Sequence, residues 1–318
     1  MRFIWRKVLR LALIALATTL ITFLMVEILP GDAAYIIGGE GATLEDIQAI
    51  RQDLDHDRNV LFRYVIWLGN LVRGDLGRSY LTHEPVLDTI LERLPVTLEL
   101  LVISQLMALL LALPCGIISA YRSDAWPDRL ISFSGFATLS IPGFVMALVT
   151  IYLFAIQLKW LPATGYTPFY YGVWANLKSF ILPGLSIALV EWVVLMRVLR
   201  SDIISTLQQN FILMAKAKGL PPWKVLVHHA FRPSSFTLVT LLGLHIGRLI
   251  GGAVIIESIF ALPGLGRLLV SSIYSRDVMV IQGCIVVITV GYVLINTVVD
   301  ILYVILDPRI RKEPSHAG

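Results

Sequence analysis

Five ionisable side chains interrupt the apolar runs of this chain or lie at their edges: Glu99, Glu191, Arg248, Glu257 and Asp300. A charge at the centre of a bilayer costs about 2.5–3.5 kcal/mol on insertion scales, so such residues face a bundle interior and pair there. That placement allows two kinds of chemistry. One is a polar path for a zwitterionic solute. The other is an interhelical ion pair that fixes packing, which is the simpler account. Arg248 precedes Glu257 by about two and a half helical turns, too far for stacked neighbours on one helix. Its expected partner is therefore Glu191 or Asp300, from another run.

Other chemistries lack their residues. No G-x-x-x-x-G-K-[ST] occurs, so no P-loop holds ATP on this chain, and no H-E-x-x-H occurs. His228 and His229 are adjacent, point to different helix faces and make a poor metal pair. Cys115 and Cys284 lie in apolar runs and read as small hydrophobes rather than a disulfide or metal pair. No nucleophile–base arrangement is visible. The reading is a non-enzyme with no catalytic residue, no metal and no cofactor of its own.

The elements that must position these charges are membrane helices. The chain has 318 residues, of which 57% are hydrophobic and 15% charged. Its mean hydropathy is +0.77. A soluble domain has no use for that much apolar surface. Apolar runs of roughly 20 residues, enough to cross a ~30 Å hydrocarbon core as helix, recur along it. The alternating segments of roughly 10 residues that a barrel would show are absent. The expected fold is all-α and polytopic, with six transmembrane helices at 8–29, 96–120, 131–157, 180–200, 236–258 and 279–305. The first follows a charged head but runs too long for a signal peptide, and no small-x-small cleavage site follows it. Pro114, Pro142 and Pro183 fall within or at the edges of spans, where neighbouring helices satisfy the freed carbonyls. Gly243, Gly247, Gly251 and Gly252 form a small-residue stripe on the fifth span, suited to close helix packing.

Cations set the orientation. With the N-terminus inside, Arg2, Arg6, Lys7, Arg10, Arg122, Arg129, Arg197, Arg200, Lys216, Lys218, Lys224, Arg232, Arg309, Arg311 and Lys312 are cytoplasmic. The short outer loops hold only Lys159, Lys178, Arg267 and Arg276. Both termini are expected in the cytoplasm. The same bias explains the net charge of +4 without nucleic acid as a partner. The first outer loop, 30–95, is too long for a connector. GATLEDIQAIRQDLD, with Thr43 as cap and Asp46 three residues on, and RYVIWLGNLVRGDLG both read as amphipathic helices of a small extracytoplasmic subdomain. The expected division is 1–29 (cytoplasmic segment and first span), 30–95 (subdomain), 96–308 (a five-span core with a cytoplasmic loop, 205–233) and 309–318 (cytoplasmic tail).

That cytoplasmic loop carries NFILMAKAKGLPPWKVLVHHAFRPSS, residues 210–235, with several cations and no acid. Residues 205–218 have helical composition. Gly219 stands where a left-handed C-terminal residue is wanted. Pro221 and Pro222 stop that helix and suit the first turn of another, which is expected over 223–230 and to end at Arg232-Pro233. From the residues alone, three uses stay open: a basic helix on anionic lipid, a solvated loop, or a docking element for another protein.

AKAKGLPPWKVLVHHAFRPS resembles the cytoplasmic coupling loop, or EAA loop, of ABC-importer permeases in its peptide-permease form. GDLGRSY (74–80), LPVTLEL (94–100), LSIPGF (139–144), LPATGY (161–166), LPGLSIAL (182–189), ESIFALPGLGRLLVSSIYSRD (257–277) and NTVVDILYVILDPRIR (296–311) agree in order and spacing. Jointly they cover nearly the whole chain. The chain resembles the first of the two permeases of dipeptide, oligopeptide and nickel importers. The resemblance implies a coupling helix that sits in a groove of a cytosolic ATPase, with Ala215 and Gly219 matching the loop's alanine and glycine. Lys216, Ala217, Lys218, Leu220, Pro221 and Lys224 complete the implied docking loop, while Leu213 and Met214 depart from the usual pattern. It implies that Glu191 sits in a span that lines the pathway; Arg248 and Glu257, as intramembrane charges, and Pro263 and Gly264, as a turn near its mouth, complete the candidate translocation path or gate. The implied partners are a homologous second permease, two ATPase subunits that bind ATP and Mg, an extracytoplasmic solute-binding protein and membrane lipid. The implied place is the cytoplasmic or inner membrane of a bacterium or archaeon, and the implied solutes are di- or oligopeptides or similar small molecules. The rival reading from the intramembrane carboxylates is a proton- or sodium-coupled secondary transporter. Such folds usually show paired internal repeats, and no halves-symmetry is seen.

Overall fold

The structure, a computed structural model, describes residues 13–25 and 59–306 and, between them, Thr43, Leu44 and Gln48. The side chains at 248, 250–252, 300 and 302–306 fall outside that description. So do most of GATLEDIQAIRQDLD, including the expected partner Asp46, and the cytoplasmic tail. Among the described residues the regular structure is helical, with one isolated bridge between Arg78 and Pro85.

The helices are α1 (Leu13–Met25), α2 (Val60–Val72), α3 (Val86–Tyr121), α4 (Trp126–Leu139), α5 (Gly143–Thr150), α6 (Val173–Leu207), α7 (Asn210–Ala217), α8 (Arg232–Ile259), α9 (Leu265–Ser275) and α10 (Val278–Leu306). Three of those described, α3, α6 and α10, are long and apolar enough to cross a membrane, and α4 with α5 and its π-helical extension forms a fourth, bent candidate. The chain is a multi-span helical membrane protein. It divides into two compact units: residues 1–97 with 263–293, and residues 98–262 with 294–318.

In the first unit, α2 matches the amphipathic helix expected in the first loop. Asn59 caps it by accepting from the Leu61 N–H at 3.0 Å. Tyr64 on its buried face packs with Phe23 of α1 and Trp67, and its hydroxyl lies 2.9 Å from that of Thr19. A second cluster joins Leu76, Val86, Ile90, Leu265, Val280 and Cys284. Asp277 precedes α10 and accepts from the Val280 N–H. It also accepts from the Ser79 hydroxyl, which ties GDLGRSY to the SRD end of α9. Thr97 Oγ1 caps α9 by accepting from the Leu265 N–H at 2.9 Å.

The second unit is built around α6. Some 72% of its most apolar window is buried, against 33% for that of α3, so α6 is the central helix here. Small residues mark where neighbours come close. A Cβ at Gly116 of α3 would lie 3.1 Å from Leu199, and one at Gly135 of α4 would lie 2.9 Å from Val193. Thr150 of α5 and Ser186 of α6 share a hydroxyl–hydroxyl bond of 2.7 Å. Gly243 of α8 lies so close to Val299 of α10 that a Cβ there would overlap it, as the small-residue stripe predicts.

Three sequence expectations need correction. The expected span 131–157 is two pieces, α4 and α5 with its π turn Ile151–Gln157, bent by 103° at the break. Pro142 lacks the N–H that would continue α4, and it serves as N-cap of α5 instead. The helix expected over 205–218 is interrupted, because α6 ends at Leu207 and Gln208 and Gln209 donate back to Ser205 and Thr206. The second helix does not end at Arg232-Pro233. Pro222–Lys224 leads into a π turn, Val225–Phe231, that runs directly into α8. Pro233 falls in the first turn of α8, and the wider π turn before it absorbs the missing α-helical bond.

Candidate functional site

Glu191 of α6 is buried, and its carboxylate bonds His245 Nδ1 of α8. The sequence points to Arg248 as the partner of Glu191 or Asp300 and gives no sign of His245. The side chains of Arg248 and Asp300 lie outside the described residues, so the expected Arg248 pairings are not among those seen. Glu257, near the end of α8, is fully buried, and its carbonyl accepts from the Leu262 N–H at 2.9 Å. The turn placed at Pro263-Gly264 is made two residues earlier. Ala261 takes the left-handed conformation, φ 56°, while Gly264 is the extended N-cap of α9.

Glu99 lies near a second polar group at the start of α6. Asn176 is buried and donates to the Thr167 carbonyl at 3.0 Å and to Glu99 at 3.4 Å. The LPATGY segment packs beside it: the Gly165 N–H bonds the Phe260 carbonyl and Tyr166 stacks edge-on against Phe180. Burial, with Glu99 and Tyr170 nearby, pushes the Tyr166 phenol above its ordinary range.

The basic loop has two faces. Ile212 and Ala215 of α7 are buried in the α6-centred core with Val225, Leu226 and Ala230 of the π turn. Lys216, Ala217, Lys218, Gly219, Pro221 and Lys224 are exposed, and Leu220 is half-buried. Gly219 adopts φ +76°, the left-handed conformation expected of it. Phe211 and Leu213 are also exposed, and Met214 and Trp223 are each 62% exposed. The loop thus anchors one face inward and presents large apolar side chains among three lysines on the other. Ala215, one of the expected docking-loop residues, packs inward here.

Residues 112–312 match the family described as the binding-protein-dependent transport system inner membrane component. Residues 1–101 match the N-terminal part of such membrane components. A Brucella abortus protein provisionally named a peptide transport system permease is 40% identical over 300 residues, 94% of this chain and 96% of its own length. The glutathione transport system permease protein of Escherichia coli K12 is 35% identical over 293 residues, 92% of this chain and 93% of its own. A Sinorhizobium fredii protein provisionally named a peptide ABC transporter permease is 35% identical over 289 residues, 91% of this chain and 92% of its own.

The chain belongs to the binding-protein-dependent transport permeases. The permease is a membrane subunit of an ABC importer, which sets aside the secondary-transporter reading.

A third constellation in the permease was missed in the sequence. Asp128, in the first turn of α4, accepts from Nε and Nη2 of Arg200 from α6, at 2.8 and 2.6 Å. It also bonds the Ser119 hydroxyl and accepts from the Asp124 N–H at 2.8 Å. One carboxylate therefore joins the end of α3, the start of α4 and the last turns of α6. In the sequence Arg200 reads only as a cation for orientation. Ser119 and Asp128 are nine positions apart, and no helix periodicity points from one to the other across the intervening turn.

Proposed function

We propose that the permease carries di- or oligopeptides inward together with a homologous second permease, two cytosolic ATPase subunits that bind ATP and Mg, and an extracytoplasmic binding protein. The observation that carries this reading is the near full-length likeness to relatives named for peptide and glutathione transport. Glutathione is itself a tripeptide. The chain is read with six spans and both termini in the cytoplasm, on the cation asymmetry of its loops. Its division is read as 1–29, 30–95, a core of 96–308 and a tail of 309–318.

Residues 205–233 form the coupling loop in this reading. Phe211, Leu213, Met214 and Trp223 supply apolar contact to the ATPase, and Lys216, Lys218 and Lys224 surround them, the mix of apolar centre and charged rim that protein interfaces use. Ala217, Gly219, Leu220 and Pro221 shape the turn between them, and Ala215 holds it to the core. Glu191, Arg248 and Glu257 line the path. Pro263 and Gly264 are assigned to its gate on the resemblance alone.

Gly219→Trp tests the docking role. A side chain at φ +76° is strained by about 1–2 kcal/mol, and nothing lies within 4 Å of the Cβ position to add a clash inside the subunit. The subunit is therefore expected to accumulate in the membrane while ATPase co-purification and ATP-dependent peptide uptake fall. Unchanged assembly and uptake would remove the docking role.

A further inference from the structure

At one end of the second unit a cavity of about 460 Å³ opens between α4 and α6. Arg129, Arg197 and Arg200 line it, with Asp124 and Asp128. Asp128 is taken up by Arg200. Arg197 lies 4.9 Å over the ring of Phe136, a cation–π contact rather than an ion pair. Three guanidiniums against two carboxylates leave one positive charge. Ser132 and Ser201 bring hydroxyls to the same wall.

The surroundings identify the level of this cavity. Tyr121 closes α3 and Trp126 opens α4, and both are exposed, Trp126 at 71%. Exposed Trp and Tyr at helix ends mark the membrane–water interface. From Arg129 an apolar strip runs along α4: Leu130 is 57% exposed and Phe133 73%, followed by Phe136 and Leu139. Leu130 and Phe133, three apart, lie side by side on one face. An arginine-lined cavity at headgroup level, with an apolar track leading from it, has the two-part chemistry of a lipid.

We propose that this cavity binds the phosphate of an anionic phospholipid, with the acyl chain lying along Leu130 and Phe133. A phosphodiester carries one negative charge, equal and opposite to the excess in the lining. Arg129 and Arg197, which form no ion pair among the described residues, hold its oxygens. Ser201 donates to another, Ser132 being turned toward Asp128 at 3.5 Å, and Asp124 accepts from a polyol headgroup such as glycerol. Basic pockets between membrane helices hold anionic headgroups by the same means.

The test uses the assembled importer, purified from nanodiscs of equal phosphatidylglycerol and phosphatidylethanolamine, with retained lipid read by native mass spectrometry. Wild-type complex is expected to retain phosphatidylglycerol selectively. Each arginine near an anionic headgroup is worth roughly fivefold, so Arg129→Gln with Arg197→Gln should lower retention on the order of 25-fold. Arg129→Lys with Arg197→Lys, which keeps the charge, should retain most of it and shows that the loss is not misfolding. Arg200 is left in place because Asp128 depends on it. Inorganic phosphate at tens of millimolar should not displace a lipid held also by its acyl chain; complete displacement by phosphate would mean a free-anion site and overturn the proposal. Equal retention of both lipids, or retention unchanged in the glutamine variant, would overturn it as well. So would a photocrosslinker at Ser132 that labels a partner subunit and no lipid.

Discussion

The buried carboxylate of Glu191 pairs with His245 through Nδ1. Removing one member of a buried pair leaves the other without that partner, which costs more than removing both. His245→Ala is therefore expected to lower the thermal melting of the assembled importer more than His245→Ala combined with Glu191→Gln. The coupling should amount to about 0.5–3 kcal/mol, the range for residues in one network. Equal melting of the single and double variants would show that the pair carries no stability. Glu191 stands out in the sequence because it is an acid in an apolar run. Its partner does not. Glu191 and His245 are 54 positions apart, and pattern alone does not fix the rotation of one helix against another. Asp128 and Arg200 were hidden for the same reason, at a separation of 72.

At the scale of the element, the glycine stripe on α8 was legible because small residues spaced along a helix have one common use in a membrane: close approach. Gly243 meets Val299 in that way. Gly243→Ala is expected to destabilise by about 1–3 kcal/mol through overpacking. Val299→Ala should recover most of that loss by opening the facing space, and melting of the two variants and their combination decides it. A Gly243→Ala variant as stable as wild type would mean that α8 and α10 are free to separate there. Proline was less legible. Pro114 and Pro183 lie inside α3 and α6, Pro142 breaks α4 from α5, and Pro233 follows a π turn without ending the helix. Each removes the same hydrogen bond. What happens next depends on whether neighbouring helices or a widened turn can satisfy the orphaned carbonyl, and that is a property of the packed protein.

For the whole molecule, the helical and membrane character follows from composition, because apolar length has few other uses. The first loop is legible in part: α2 was read from its periodicity, while the tie from Ser79 to Asp277 joins segments 198 positions apart and has no local signature. In the proposed assembly ATP is hydrolysed on partner ATPase chains. Uptake by the reconstituted importer is therefore expected to stop on ATP depletion and to persist with an uncoupler at constant ATP. Loss of uptake with the uncoupler alone would contradict that. The π turn has a mechanical consequence. Helical structure runs without a break from Pro222 through Val225–Phe231 to Ile259, so no hinge at Arg232-Pro233 can absorb a displacement at Trp223. If the coupling loop docks as proposed, a displacement at Trp223 would pass along this unbroken helical run to the segment that carries the imidazole of His245.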